Sequence, residues 1–492
     1  MPTISINKFD NGTADDVRTH NINQNEESLN FNIFDKPNYL QPYPDLATET
    51  IEGGLTITDY NISDVLYDVS GVNFLALGKS SSGSSIAKMF QKSAIGDAWE
   101  LEVADAGSIV QYGTLVAHKG LAYFLNSDKF MEVTNITTIT ERGNYTGSGS
   151  IAKPFVHPKN DYLYGATGYI LFRWTGAAFA EYNGIIPSDL YVTSLTDYGT
   201  YLAVACRPSS GLGNSYIFLI NPADITLNTA EAISTVINLG EGNCKVLENI
   251  EETLVAVMDS NDITGVTLNN RLLVKTWNGS LTTQKEISIN SNFALTQLKQ
   301  KSKNRLFFTL LYSQGAGDDA IYSFGKNKEG LWTLSKDRYL NNGSTTYVTI
   351  RAFTIIGDVM WIGFRASSGS DGLFYRTSVA GAFTNTSKYT TTINPSMPLD
   401  DRYKHKQLDA VQISYTGAST GTTVLKYSVD GSTMTTIISD TNSTGEKTTE
   451  ATMENDGSAL LSGKEFQFRI ECTGGTKIKE IKYKYSILSS QL

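Results

Sequence analysis

Four histidines, His20, His118, His157 and His405, are the residues best placed by type for proton transfer or metal binding near neutral pH. They stand far apart, and none has a partner at metal-ligand spacing, so each reads as a surface or packing residue. Carboxylate pairs come next: Asp318 with Asp319, Asp259 with Asp262, and Asp400 with Asp401. Two acids at the right separation suffice to hydrolyse a glycosidic bond. Each pair lies in a Gly/Ser/Asn-rich stretch, where Asp is favoured simply because it bonds its own backbone, so the turn reading is preferred. "DSNDITG" at Asp259 offers oxygen ligands for Ca²⁺ but lacks the Glu that completes an EF loop, and a hairpin tip is the better reading. No G-x-S-x-G elbow is present. Cys206, Cys244 and Cys472 are an odd set without CxxC, which argues against a disulfide framework and a zinc site and points to a reducing compartment. No catalytic residue, metal or cofactor is assigned, and the chain is expected not to be an enzyme.

The elements that would have to position any site are strands. The 492 residues are 40% hydrophobic and 18% charged, with 42 Gly and 11 Pro, a folded and strand-prone composition. A net charge of −10 with scattered basic residues gives no footprint for gripping a phosphate backbone, so specific nucleic-acid binding is excluded. The start lacks a basic region followed by an apolar core, and no apolar run approaches the roughly 18 residues of a membrane span.

Short apolar runs recur along the chain: "VNFLALG" at Val72, "GLAYFL" at Gly120, "DYLYG" at Asp161, "TYLAVAC" at Thr200, "ETLVAVM" at Glu252, "NRLFFTLLY" at Asn304 and "DVMWIGF" at Asp358. Each is followed, after a polar loop, by a second run: "SIAKMFQ", "DKFMEV", "GYILFRW", "SYIFLIN", "RLLVKTW", "AIYSFG" and "GLFYRTS". Seven hairpins roughly 40 to 53 residues apart predict an all-β fold, a β-propeller of seven four-stranded blades. A solenoid needs shorter periods and a row of sandwiches needs about 100 residues per unit. Runs with little alternation suit strands covered on both faces. The aromatics, with Trp174, Trp277, Trp332 and Trp361 near second runs, are expected to pack blade on blade. At Pro222, "PADITLNTAEAISTVINLG" places Ile225, Ala230, Ile233 and Ile237 near helical spacing, so a short helix or an irregular loop is expected there.

Residues 1–52 do not join the repeat. Three prolines and several aromatics in "NFNIFDKPNYLQPYPDLATET" suggest an extended N-terminal arm. The propeller is assigned to 53–395. From 396 to 492, alternating strands such as Val424, Leu425, Tyr427 and Val429, and a "DG" turn at Asp430–Gly431, predict a jelly-roll-like C-terminal β-sandwich. "YSVDGSTM" at Tyr427 resembles the aspartate box of sialidases but departs from it, since Asp430 touches Gly431 and Met434 stands near the Trp place; that box is in any case a fold-supporting turn.

The opening "INKFDNGTADD" and "NFNIFDKPNYLQPYPD", with a propeller, an arm and a terminal sandwich, resemble structural tail proteins of tailed bacteriophages, in architecture most nearly the nozzle or tail tubular proteins of short-tailed phages. No site residue carries over. The resemblance implies a virion tail protein made in the host cytoplasm, a homo-oligomeric ring or collar without catalysis, other virion tail proteins as partners, and an acidic wall past which DNA slides. Removing residues 1–50 is then expected to leave a soluble propeller that no longer enters particles. The rival reading is a carbohydrate-binding or glycan-cleaving propeller that recognises a host-surface glycan; a cytoplasmic docking hub is a third.

Overall fold

The computed structural model describes residues 3–6, 27–29, 31–32, 41–42, 46–52, 60–80, 86–109, 114–126, 128–135, 137–260, 270–289, 293–312, 320–327, 330–339, 348–357, 359–366, 372–377, 387–392, 406–417, 421–441, 444–452, 462–463 and 465–487. The chain forms two compact units. Leu46–Asp319 with Leu340–Thr377 makes a propeller unit, and Met1–Asp45, Ala320–Tyr339 and Ser378–Leu492 make a sandwich unit.

In the propeller unit each repeat is an antiparallel sheet whose strands follow in chain order. Blade 1 is Tyr60–Val69, Val72–Ser80, Ile86–Lys92 and Glu100–Ile109; blade 2 is Val116–His118, Leu121–Asn126, Lys129–Asn135 and Thr138–Asn144. Blade 3 is Ile151–His157, Tyr162–Thr167, Ile170–Trp174 and Phe179–Tyr182; blade 4 is Leu190–Tyr198, Tyr201–Pro208, Asn214–Ile220 and Ile233–Glu241. Blade 5 is Asn243–Ile250, Thr253–Ser260, Asn270–Trp277 and Leu281–Ile289. The sixth repeat gives this unit the hairpin Phe293–Ser302 with Arg305–Tyr312. Blade 7 is Val348–Ile356, Val359–Ala366 and Gly372–Thr377, and its fourth strand, Leu46–Thr48, comes from ahead of blade 1. Each first strand packs on the first strand of the next repeat, and that of blade 7 packs on blade 1, so seven repeats close around an axis lined by first strands.

The physical reason is burial on both faces. Thr253–Ser260 is buried at every residue but the last, and Leu121–Asn126 at every residue but the first. Such a strand is stable only between covering layers, and successive blades supply them. Phe130, Leu163, Phe172 and Trp174 join blade 2 to blade 3, and Phe74, Trp99 and Trp361 join blade 1 to blade 7. First and second strands turn tightly at Ser70–Gly71, Lys119–Gly120, Glu251–Glu252 and Lys303–Asn304, all eight residues having positive φ, the geometry of two-residue hairpin turns that match strand twist.

After Pro222 the chain makes two short 3₁₀ turns, Asp224–Leu227 and Ala230–Ala232, and then the fourth strand of blade 4. The helical spacing of Ile233 and Ile237 is coincidental: both lie on that strand, where pairing with Asn214–Ile220 outweighs a weak local period. No described helix is long and apolar enough to cross a membrane.

The sandwich unit has two sheets. One runs Thr3–Ile6, Lys477–Ile487, Lys406–Gly417, Gly445–Thr452, with Ser462–Gly463 also on Lys406–Gly417. In the other, Trp332–Tyr339, Glu27–Leu29, Ser387–Thr392, Phe466–Cys472, Thr422–Val429 and Thr435–Thr441 follow in order, and Ala320–Lys326 pairs with Trp332–Tyr339. Phe466–Cys472 alternates buried and half-buried residue by residue, as one covered face requires. Val411, Tyr415, Leu425, Phe468, Ile481 and Tyr483 meet in the core between the sheets. Residues 1–52, read from sequence as one arm, therefore give strands to both units, Thr3–Ile6 and Glu27–Leu29 to the sandwich and Leu46–Thr48 to blade 7.

Candidate functional site at the propeller axis

First strands begin, and second strands end, at one face of the propeller unit, called here the upper face; the tight turns mark the lower one. Near the upper end of the first strand, six of the seven repeats carry a shift in register: between Ile62 and Asp64, Ala152 and Phe155, Val192 and Ser194, Cys244 and Val246, Leu295 and Lys299, and Ile350 and Ala352. A β-bulge twists the strand and re-aims a side chain that would otherwise lie in the sheet-packing layer. The residues at or beside these bulges include Lys153, Thr193, Lys245 and Gln297. Repeated around an axis, the device gathers polar side chains at the upper mouth.

Their bonds cross the ring. Lys153 of blade 3 donates to Asp64 of blade 1 at 2.7 Å, past blade 2, whose first strand is only three residues long. Thr354 of blade 7 donates to the other Asp64 oxygen at 2.7 Å. Gln297 of the sixth repeat donates to Ser150, ahead of blade 3, at 2.7 Å. Farther down the axis, toward the tight turns, Lys299 lies 3.0 Å from Glu248 and donates to the carbonyls of Leu195 and Leu247, and Thr196 donates to Glu248. Lys245 meets Asp259 at 2.9 Å and the Leu295 carbonyl at 2.8 Å. Each of these axial carboxylates faces an ammonium. Each such pair cancels one negative and one positive charge along the axis, and Asp64 and Glu248 also accept hydroxyl hydrogen bonds from Thr354 and Thr196.

Below the mouth, polar residues latch blade to blade. His118 Nε2 lies 2.8 Å from the carbonyl of Asp161, and His157 Nε2 lies 3.2 Å from that of Tyr201. Both are last residues of first strands, and each reaches the first hairpin of the next blade. Ser70 does the same through its amide to Gly120. His157 Nδ1 accepts the Lys159 amide, so Nε2 carries the proton, and burial pushes the ring pKa below its usual value. A separate group lies within blade 2, where buried Glu132 and Tyr123 meet Arg142 of the fourth strand. Burial alone would raise the pKa of Glu132, but the Arg142 guanidinium, at 2.7 and 2.9 Å, and the Tyr123 hydroxyl reverse that and lower it. Burial pushes Tyr123 up to about 12.

The remaining sequence candidates scatter. His118 and His157 are latches, and Asp259 stands at the mouth of blade 5. Asp262, Asp318, Asp319, Asp400, Asp401, His20 and His405 lie outside the described residues. Cys206, Cys244 and Cys472 are free and buried, and burial raises all three thiols, which makes them unreactive. Asp430–Gly431 is a positive-φ turn in which Asp430 Oδ1 accepts the Glu465 amide at 2.8 Å. Trp174 and Trp361 are in the core; Trp277 packs edge-on against Tyr198 and Trp332 stacks on Phe324. Among the described residues no group of three or more His, Cys, Asp or Glu could hold a metal. The sequence reading missed Asp64, Lys153, Gln297 and Lys299. Their signal was a polar or basic residue a few positions before each tight turn, visible only once first strands are aligned.

No protein-family model matches the chain, and no curated protein matches it. Among solved structures it is similar to an exo-β-1,3-galactanase from Phanerochaete chrysosporium crystallised with galactose (TM-score 0.31, 10% identity, 90% of this chain and 100% of that one). It is also similar to an ulvan lyase of a polysaccharide lyase family (TM-score 0.43, 10% identity, 68% and 98%) and to the Saccharomyces cerevisiae core factor (TM-score 0.41, 8% identity, 69% and 61%). Two of these three are carbohydrate-active enzymes, against which the expectation that this chain is not an enzyme is withdrawn. At such identities and scores the likenesses assign no activity, and the all-β propeller architecture stands on the strand pairing and ring closure described above.

Proposed function

We propose that the protein recognises carbohydrate at the upper mouth of its propeller axis, as a binding or glycan-cleaving propeller directed at a host-surface glycan. The observation that supports this is the six-fold recurrence of first-strand bulges, which brings lysine, carboxylate, amide and hydroxyl groups together with their charges cancelled. A neutral polyol needs many directed donors and acceptors and no net field; a nucleic acid needs a basic surface, which a chain of net charge −10 does not offer. Glycan-array binding with a parallel reducing-sugar assay tests the reading. Binding is expected, and release of reducing ends would assign cleavage as well. An array without signal at high protein concentration overturns it.

A second reading is favoured by one feature of the sandwich unit. Thr3–Ile6 lies as an added edge strand on Lys477–Ile487, and strand addition of this kind, exchanged between copies, joins subunits. On that reading the chain forms a homo-oligomeric ring in a phage tail with other virion tail proteins, and carbohydrate recognition would be its receptor function. Native mass spectrometry is expected to give a closed oligomer that is lost when residues 1–8 are removed; a wild-type monomer at all concentrations contradicts it.

A further inference from the structure

We propose that Asn243, Lys245 and Asp259 of blade 5 form the subsite that fixes a pair of adjacent sugar hydroxyls, an inference that rests on the carbohydrate reading above. Asn243 and Asp259 are direct register partners at the upper end of the first and second strands. Directly opposed residues project from the same side of a sheet with Cβ atoms about 5 Å apart, so the two side chains are neighbours. Both are more than nine-tenths buried, at 7% and 6% exposure. Yet among the described residues Asn243 Oδ1 and Asp259 Oδ1 have no hydrogen-bond partner. Buried acceptors are nearly always satisfied, and one left open calls for a ligand or ordered solvent to supply the donor.

Charge selects the donor. The second Asp259 oxygen is held by Lys245 at 2.9 Å, and Lys245 is itself fixed by the Leu295 carbonyl at 2.8 Å. The carboxylate charge is thus already cancelled, so a divalent cation would sit beside an ammonium with nothing left to balance it. An anion would meet two acceptors. Two neutral O–H groups on adjacent carbons satisfy both acceptors, while the half-buried Lys245 ammonium can donate to their oxygens. The backbone is fixed for the purpose. Gly242 holds φ +124 against the Asp259 carbonyl, where a Cβ would approach to 2.7 Å, and Ser215 accepts the Cys244 amide and donates to the Gly242 carbonyl. Asn243 is therefore held before any ligand arrives, which limits the entropy lost on binding.

Isothermal titration of the full chain with neutral mono- and disaccharides of galactose, glucose and rhamnose, and with calcium chloride and sodium phosphate alone, tests the inference. Asn243→Leu removes an open acceptor without removing a bond, so the unfolding midpoint is expected to hold or rise. Its saccharide affinity is expected to fall about tenfold or more. Asp259→Asn and the smaller Asn243→Ser, expected to weaken binding in the same direction, serve if the leucine variant does not fold. Unchanged saccharide affinity in folded variants overturns the subsite and leaves the carbohydrate reading standing. Calcium or phosphate binding that these variants abolish overturns the ligand class. A wild-type protein that binds no saccharide overturns both.

Discussion

His157 shows how much a single side chain fixes in this fold. Its Nδ1 accepts the Lys159 amide and its Nε2 lies against the Tyr201 carbonyl, so one neutral tautomer ties blade 3 to blade 4. Burial lowers its pKa from 6.5; Asp197 and the Tyr201 carbonyl oppose that and Lys159 reinforces it. The unfolded chain then binds more protons than the fold once pH drops through about 6.5, so this contribution to stability is complete above that pH and declines below it. His157→Asn is expected to lower the urea midpoint at pH 7.5 and to show a flatter decline than wild type on going to pH 5. Parallel declines would show that the ring does not titrate against the fold. Asp64 works by charge: two oxygens hold three donors, from Lys153, Thr354 and the Val65 amide. Neither residue advertised this in the sequence, because what matters is a partner some 44 to 290 positions away.

At the scale of elements, the middle strands were legible and the outer ones were not. "VNFLALG" with "SIAKMFQ", and "ETLVAVM" with "RLLVKTW", are the second and third strands of blades 1 and 5 and are rich in apolar residues: Thr253–Ser260 is covered on both faces, and residues 271–277 are buried at every second position. First strands such as Asn243–Ile250 mix Cys, Lys and Glu because one side meets the polar axis, and fourth strands such as Thr138–Asn144 are largely exposed; neither has a clean period. The turns offer a test. Glu252 sits at φ 60, where an L side chain is strained and Gly is not. Glu252→Gly is expected to stabilise the propeller unit by about 0.5–1 kcal/mol in chemical denaturation, less the added freedom of the unfolded chain. A loss above about 1 kcal/mol would mean the turn is held by the Glu side chain. The closing strand gives a second. Glu49, next to Leu46–Thr48, pairs with Lys92 at 2.5 Å and accepts the Trp99 indole at 2.6 Å, all three buried. Glu49→Ala leaves that buried ammonium without its carboxylate, at a cost of about 3–5 kcal/mol. Urea unfolding followed by Trp fluorescence would measure it, and a change under about 1 kcal/mol would refute the clasp. A truncation through residue 50 removes this strand too, so a soluble propeller left by that cut would lack the fourth strand of blade 7.

At the scale of the whole chain, the propeller unit is a ring whose members cannot hide their sheet faces alone, and the sandwich unit takes strands from the start of the same sequence. The repeat that reveals the ring was readable because blade-to-blade burial forces similar apolar runs at similar intervals. The axial mouth was not, because bulges are set by register between strands and leave no fixed motif. The carbohydrate reading is a claim about this mouth, and hydrogen–deuterium exchange on the full chain, with and without the strongest array glycan, tests it most directly. Added protection is predicted in the upper ends of the first strands, at residues 60–64, 151–155, 190–194, 243–246 and 293–299, with the tight turns at 70–71, 119–120 and 251–252 unchanged. Protection confined to the turn face, or to the sandwich unit, would contradict it.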